Sequence, residues 1–163
     1  NMYLYDPEGE TSTKKVLEVI YYCAEKLNVK IMVIDSLMKC GIGEDDLNGQ
    51  KAFANKLAVA SRDLDIHIFL VAHSKKTASD FDHARKFDVA GSANITNMVD
   101  NVFSVHRNKA KEEAMLDNDF DNPVCDQPPC TVHLVKQRHG KGLEGRWAFD
   151  FKPDTFQYTE WLS

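Results

Sequence analysis

Four consecutive apolar residues, Ile31-Met32-Val33-Ile34, run directly into a carboxylate and a hydroxyl, Asp35-Ser36. Four residues are too few to hold a helix of their own. A short continuous apolar run bounded by loop signals predicts a strand buried on both faces, as in a parallel sheet. An acid at the carboxyl end of such a strand lies where open α/β sheets place their ligands. A desolvated Asp there is poorly tolerated unless something positive pairs with it. Mg²⁺ carried by a nucleotide is one such partner; an Asp that caps the next loop is the other reading.

The flanks of this run complete an α/β unit. Met2-Tyr3-Leu4-Tyr5 is a β-type run closed by a turn at Asp6-Pro7-Glu8-Gly9. Thr11 or Ser12 can cap a helix whose apolar positions Val16, Ile20, Cys23, Ala24 and Leu27 fall on one face, and Asn28 ends it. Strand, helix and strand in quick succession predict a parallel, right-handed βαβ unit. Residues 36–48 are polar and glycine-bearing, hence a loop. A second helix is predicted over 50–64, with Phe53, Leu57, Ala60 and Leu64 inward. Ile66-His67-Ile68-Phe69-Leu70-Val71-Ala72 predicts another buried strand, ending in His73-Ser74 and followed by Lys75-Lys76. In a parallel sheet, Asp35-Ser36 and His73-Ser74 point to the same edge.

Beyond this, residues 77–88 form a polar loop containing Arg85 and Lys86, and a short helix runs through Met98. Val102-Phe103-Ser104-Val105-His106 predicts a further strand. Residues 108–130 are charged, then rich in Asp, Asn and Pro without periodicity, which predicts a mobile insertion. Val132 and Leu134, then Trp147, Phe149 and Phe151, alternate as two strands joined by the hairpin loop Arg138-His139-Gly140-Lys141-Gly142. Phe156-Gln157-Tyr158 follows a turn at Pro153-Asp154.

Charge and cysteine usage narrow the function classes. With 163 residues the chain supports one domain with a proper core, and its net charge of -5 argues against a general nucleic-acid coat without excluding a local basic site. No run approaches the ~18 apolar residues of a membrane span, and the first residues do not read as a signal peptide. Cys23, Cys40, Cys125 and Cys130 are scattered, which suits a reducing intracellular compartment better than a disulfide framework. Cys125, Cys130 and His133 match no common zinc spacing and lack a fourth ligand.

An apolar run ending in Asp has the form of a Walker B strand, whose acid holds Mg²⁺ through water on a nucleoside triphosphate. His73 reads either as a γ-phosphate sensor or as a satisfied strand-end histidine. Lys136 and Arg138 sit one residue apart and so share a strand face. Two neighbouring cations repel unless an anion lies between them, and a phosphate is the natural guest. An exposed basic edge strand is the alternative.

Taken in order, these stretches resemble a known family. They are Met2-Tyr3-Leu4-Tyr5-Asp6-Pro7, Ile31-Met32-Val33-Ile34-Asp35-Ser36-Leu37, Phe69-Leu70-Val71-Ala72-His73-Ser74 and Val89-Ala90-Gly91-Ser92-Ala93. Met98-Val99-Asp100-Asn101-Val102, Val135-Lys136-Gln137-Arg138-His139-Gly140 and Phe149-Asp150-Phe151 follow. The pattern resembles the carboxyl-terminal two-thirds of the RecA-like core of DnaB-type, superfamily 4 replicative helicases, including phage primase–helicases and Twinkle. The implied fold is α/β and RecA-like, with a mostly parallel central sheet flanked by helices and a carboxyl-terminal antiparallel hairpin. Residues 1–163 would be a partial ATPase domain, truncated at its amino end.

The resemblance implies roles residue by residue. Asp35, with Ser36 beside it, matches the Walker B acid that binds Mg²⁺-ATP, and His73 the γ-phosphate sensor. Lys136 and Arg138 match the pair that reaches the nucleotide of the neighbouring subunit, Arg138 as arginine finger. Lys39, Lys75, Lys76, Arg85 and Lys86 lie in loops that match those gripping single-stranded DNA. Implied partners are single-stranded DNA, further copies in a ring read as a hexamer, and an attached or separate primase, with no membrane. The implied compartment is the cytoplasm or nucleoid, a phage-infected cell, or a mitochondrion for a Twinkle-like member. The phosphate loop G-x-x-x-x-G-K-[ST] occurs nowhere, so the family's catalytic Glu is expected to be missing with it, and this chain alone is expected to bind ATP weakly. Plasmid RepA-like or recombinase-type RecA ATPases, and a non-hydrolysing RecA-fold module that binds DNA or a partner, are the alternatives.

Overall fold

Ser12 starts the first regular element: its hydroxyl accepts a hydrogen bond from the Lys15 amide at 3.2 Å, satisfying a donor that the first helical turn leaves free. In this computed structural model, helix α1 spans Thr13–Leu27 and ends at Asn28, whose φ of 53° is left-handed. Asn takes that conformation more readily than other residues with a side chain, so the chain reverses here. The structure describes residues 1–9, 11–73, 93–140 and 145–162. They fall into two compact units, residues 1–73 with 93–99, and residues 100–162.

In the first unit, β1 (Ile31–Ile34) pairs in parallel with β2 (His67–Leu70), Ile31 opposite His67 and Ile34 opposite Leu70. The connection contains a 3₁₀ turn (Leu37–Cys40) and helix α2 (Leu47–Asp63). Asp46 caps α2 by accepting from the Gly49 amide at 2.8 Å. Helix α3 covers Ala93–Met98. One apolar cluster joins these elements: Phe53, Leu57 and Ala60 of α2, Ile20 of α1, Ile66 and Ile95. Met32 and Ile34 of β1, with Ile68 and Leu70 of β2, pack against it.

The other face of this sheet differs from the expectation of burial on both sides. Ile31 is 65% exposed, Val33 67% and Phe69 45%. Burial therefore alternates along both strands, because the cluster lies against one face alone. Met2-Tyr3-Leu4-Tyr5 forms no strand and is exposed. A β-type composition becomes a strand only when a ladder partner takes up its backbone groups.

The second unit is an antiparallel sheet in the order β3 (Asn101–Arg107), β4 (Cys130–Gln137), β5 (Gly145–Lys152) and β6 (Gln157–Glu160). The hairpin strands expected from Val132 and Leu134 and from Trp147 to Phe151 pair here, Val132 opposite Trp147. Parallel pairing among the described residues is confined to β1 and β2, and β3 lies antiparallel to β4. The expected mostly parallel sheet is thus a mixed α/β arrangement within the described residues.

Residues 108–130, expected as a mobile insertion without periodicity, contain regular elements. They hold helix α4 (Lys109–Leu116) and a 3₁₀ turn (Pro123–Asp126). The organising residue is polar. Buried Asn108 accepts from the Lys111 amide at 3.1 Å and donates to the Pro128 carbonyl at 3.3 Å, while its own amide reaches the Pro129 carbonyl at 2.8 Å. The Lys111 ammonium donates to the Gln127 carbonyl at 2.7 Å. Apolar periodicity is blind to a segment closed by caps and backbone bonds, with Ala114 the buried residue of its helix. Arg107, unassigned by sequence, grips Glu112 with two bonds of 2.6 and 2.7 Å. No helix among the described residues is long and apolar enough to cross a membrane.

Candidate functional site

The parallel pair brings two strand ends to one edge. Beyond the last strand residues, the Val71 amide donates to the Ile34 carbonyl and the Leu37 amide donates to the Val71 carbonyl, both at 2.9 Å. Asp35 and Ser36 lie between these two bonds, and His73 follows two residues after Val71. Asp35 and His73 are both exposed at the carboxyl edge. Asp35 is therefore not the desolvated carboxylate that the apolar run suggested: it stands past the strand end, within reach of water. Ser36 is buried, and its carbonyl accepts from the Lys39 amide at 2.9 Å and the Cys40 thiol at 3.5 Å. The Asp35–Ser36 peptide is cis.

The loop leaving Asp35 is held at several points. Lys39 is exposed on the 3₁₀ turn, and its carbonyl accepts from the Thr11 amide at 3.4 Å. Gln50, 4% exposed on α2, donates through Nε2 to the carbonyls of Gly43 and Glu44 at 3.0 and 3.1 Å. Sequence reasoning assigned Gln50 no role. A Gln among the inward positions of an amphipathic helix is the signal that could have found it, because a buried amide must have partners.

In the second unit, Lys136 lies half-buried in β4 and Arg138 is exposed in the bend after it. The last paired residue of β4 is Gln137, and Arg138 follows it directly. Arg138 is held at Asp100: its amide donates to the Asp100 carbonyl at 2.8 Å and its guanidinium to Asp100 Oδ1 at 3.2 Å. His139 Nε2 stands 3.4 Å from the same oxygen. The sequence places Asp100 in the Met98–Val102 stretch but signals no role for it. Asp35, Ser36, Lys39 and His73 belong to the first unit and Lys136 and Arg138 to the second. Lys75, Lys76, Arg85 and Lys86 lie outside the described residues, as do Ser74, the stretch 89–92 and the Lys141-Gly142 tip of the hairpin loop.

The donor set bears on the metal. Among the described residues, no group of three or more His, Cys, Asp or Glu side chains could hold a metal ion, Cys125, Cys130 and His133 included. All four cysteines are free thiols. A single exposed carboxylate still fits Mg²⁺, which binds through one or two carboxylates together with nucleotide phosphates and keeps several waters.

The fold is similar to that of a DnaB-like replicative helicase. That solved structure, described together with its interactions with primase, superposes with a TM-score of 0.67 at 14% identity, over 94% of this chain and 36% of its own. The likeness is one of fold, and this chain spans about a third of that helicase. No protein-family model and no curated protein matches the chain. On the DnaB-like fold, Asp35 and His73 occupy adjacent strand ends, the place where α/β sheets bind ligands.

Proposed function

We propose that this chain is the carboxyl-terminal part of a RecA-like motor that couples Mg²⁺-ATP hydrolysis to movement along single-stranded DNA and duplex unwinding. The reading is carried by Asp35 and His73 at one edge of the parallel pair, tied through the backbone of Val71, in a fold similar to a DnaB-like helicase.

In this mechanism Asp35, exposed at the strand end, would hold the Mg²⁺ that accompanies the nucleotide. Bound with the nucleotide, Mg²⁺ supplies neutralisation of phosphate charge. His73 hydrogen-bonds the γ-phosphate, and its loss after hydrolysis is felt two residues away at Val71, whose carbonyl holds Leu37. Leu37 opens the turn that bears Lys39, so one strand end connects to a DNA-facing loop through a single backbone bond. Lys75, Lys76, Arg85 and Lys86 add phosphate contacts, and their contribution falls as salt rises. Lys136 and Arg138 stabilise transition-state charge on the nucleotide of an adjacent copy, which makes hydrolysis depend on a ring, a hexamer in this reading. A primase, attached or separate, is the partner proposed for such a motor.

The test is the full-length protein on forked DNA. ATP-dependent unwinding, with hydrolysis stimulated by single-stranded DNA, is the expected result. A full-length protein that binds DNA but never hydrolyses ATP overturns the motor and leaves a binding module in its place. Strand exchange without unwinding points instead to a recombinase-type ATPase.

A further inference from the structure

We propose that Asp100 is the positioning residue for Arg138. The inference rests on the reading above, in which Arg138 reaches the nucleotide of a neighbouring copy. Asp100 and Arg138 are 38 positions apart, yet one acid engages both the main chain and the side chain of the arginine. The register explains why the arginine needs an anchor. Val102 pairs with Lys136 but Phe103 with Leu134, so β4 carries Val135 as an extra residue. Such a bulge bends its strand and re-aims the side chains that follow. The ladder closes again at Asn101 opposite Gln137, and Asp100 with Arg138 forms the next rung, where the chain bends into the hairpin loop.

The pair is exposed on both sides, 44% for the Arg138 side chain and 56% for Asp100. An ion pair this open to water contributes little to stability and is exchanged for another anion at small cost. It nevertheless restricts a long, rotamer-rich side chain to a narrow set of directions, and the planar fork loses less freedom when it meets a phosphate. Asp100 therefore points the guanidinium without competing for it. His139 Nε2, 3.4 Å from the same oxygen, is a second side chain that Asp100 gathers at the bend.

A double-mutant cycle in the full-length protein tests this, reading DNA-stimulated ATP hydrolysis. Arg138→Ala is expected to lower kcat by roughly 10³-fold, as for other trans fingers. Asp100→Ala is expected to lower kcat about three- to tenfold while KM for ATP stays within about twofold, the scale of lost preorganisation rather than lost charge. Asp100→Asn, which keeps an acceptor oxygen, recovers most of that loss. The double variant Asp100→Ala/Arg138→Ala is expected to be no slower than Arg138→Ala alone. Full activity in Asp100→Ala, or additive losses in the double variant, overturns the positioning role while leaving the finger intact. An unchanged Arg138→Ala overturns the finger reading itself, and Asp100 loses its role with it.

Discussion

The Leu37 amide bonds the Val71 carbonyl, one residue later than a regular parallel ladder would use. With the Val71 amide on Ile34, regular pairing would bring Ser36 to the Val71 carbonyl. The extra residue falls at Asp35–Ser36, so the strand end is bulged where its acid stands. Bulges of this kind recur beside active sites because they redirect a side chain out of the sheet's alternation. Here the device leaves Asp35 exposed while Ser36 and Leu37 turn inward, both buried.

Asp35→Asn removes the charge and keeps the shape. In the full-length protein, ATP hydrolysis should fall by on the order of a hundredfold or more. Because Asp35 is exposed and has no side-chain partner among the described residues, the urea midpoint should stay close to that of the parent. Wild-type turnover in Asp35→Asn would remove the Mg²⁺ role.

Gly41 follows the 3₁₀ turn at φ +67°, and a Cβ there would stand 2.7 Å from the Thr11 carbonyl oxygen. Gly41→Ala combines a left-handed backbone with a clash against main chain, so a loss of about 2 kcal/mol or more is expected. Gly43 is the internal control, because a Cβ there meets nothing within 4 Å. Gly43→Ala should be neutral or slightly stabilising through the unfolded chain. Urea unfolding of the two variants side by side checks both, and equal midpoints would contradict the close approach of the loop to Thr11.

Gln50→Met tests what holds the loop after Asp35. The substitution removes two hydrogen bonds to carbonyls of exposed residues, which water can replace. It also removes a buried Oε1 that has no partner among the described residues. These effects oppose each other, so global stability should change by less than about 1 kcal/mol. Local order should change more. The Asp46 amide, bonded to the Gly43 carbonyl at 3.1 Å, should exchange its hydrogen faster than in the parent. Unaltered exchange at Asp46 would mean that Gln50 does not fix this loop.

The features legible in the sequence were those with a local cause. Ser12 and Asn28 bracket α1 as their capping chemistry predicts, and Phe53, Leu57 and Ala60 face inward as helical spacing predicts. Ile31 and Val33 misled because apolar identity records what a residue tolerates, while burial depends on which elements cover a face. The helix and turn within residues 108–130 escaped because they are organised by one buried amide, Asn108, rather than by a stripe. The link from Asp100 to Arg138 spans 38 positions and lies one rung beyond the end of a bulged ladder. No spacing rule reaches that far.

The cysteines give a pH-dependent prediction that is independent of function. Burial pushes the Cys40 and Cys130 thiols above their ordinary value of 9.0. Both therefore stay protonated and shielded near neutral pH, and iodoacetamide should label half-buried Cys23 and Cys125 first. The sign for stability follows from proton binding. Above the ordinary thiol value the unfolded chain loses these protons while the folded chain keeps them, so the folded chain binds more protons and stability declines as pH rises. Below that value both states are protonated and the thiols contribute no slope. Urea midpoints measured between pH 8 and pH 10, a window set around the ordinary thiol value of 9.0, should fall less steeply for Cys40→Ala than for the parent. Identical slopes would show that Cys40 is as solvated in the folded chain as in the unfolded one.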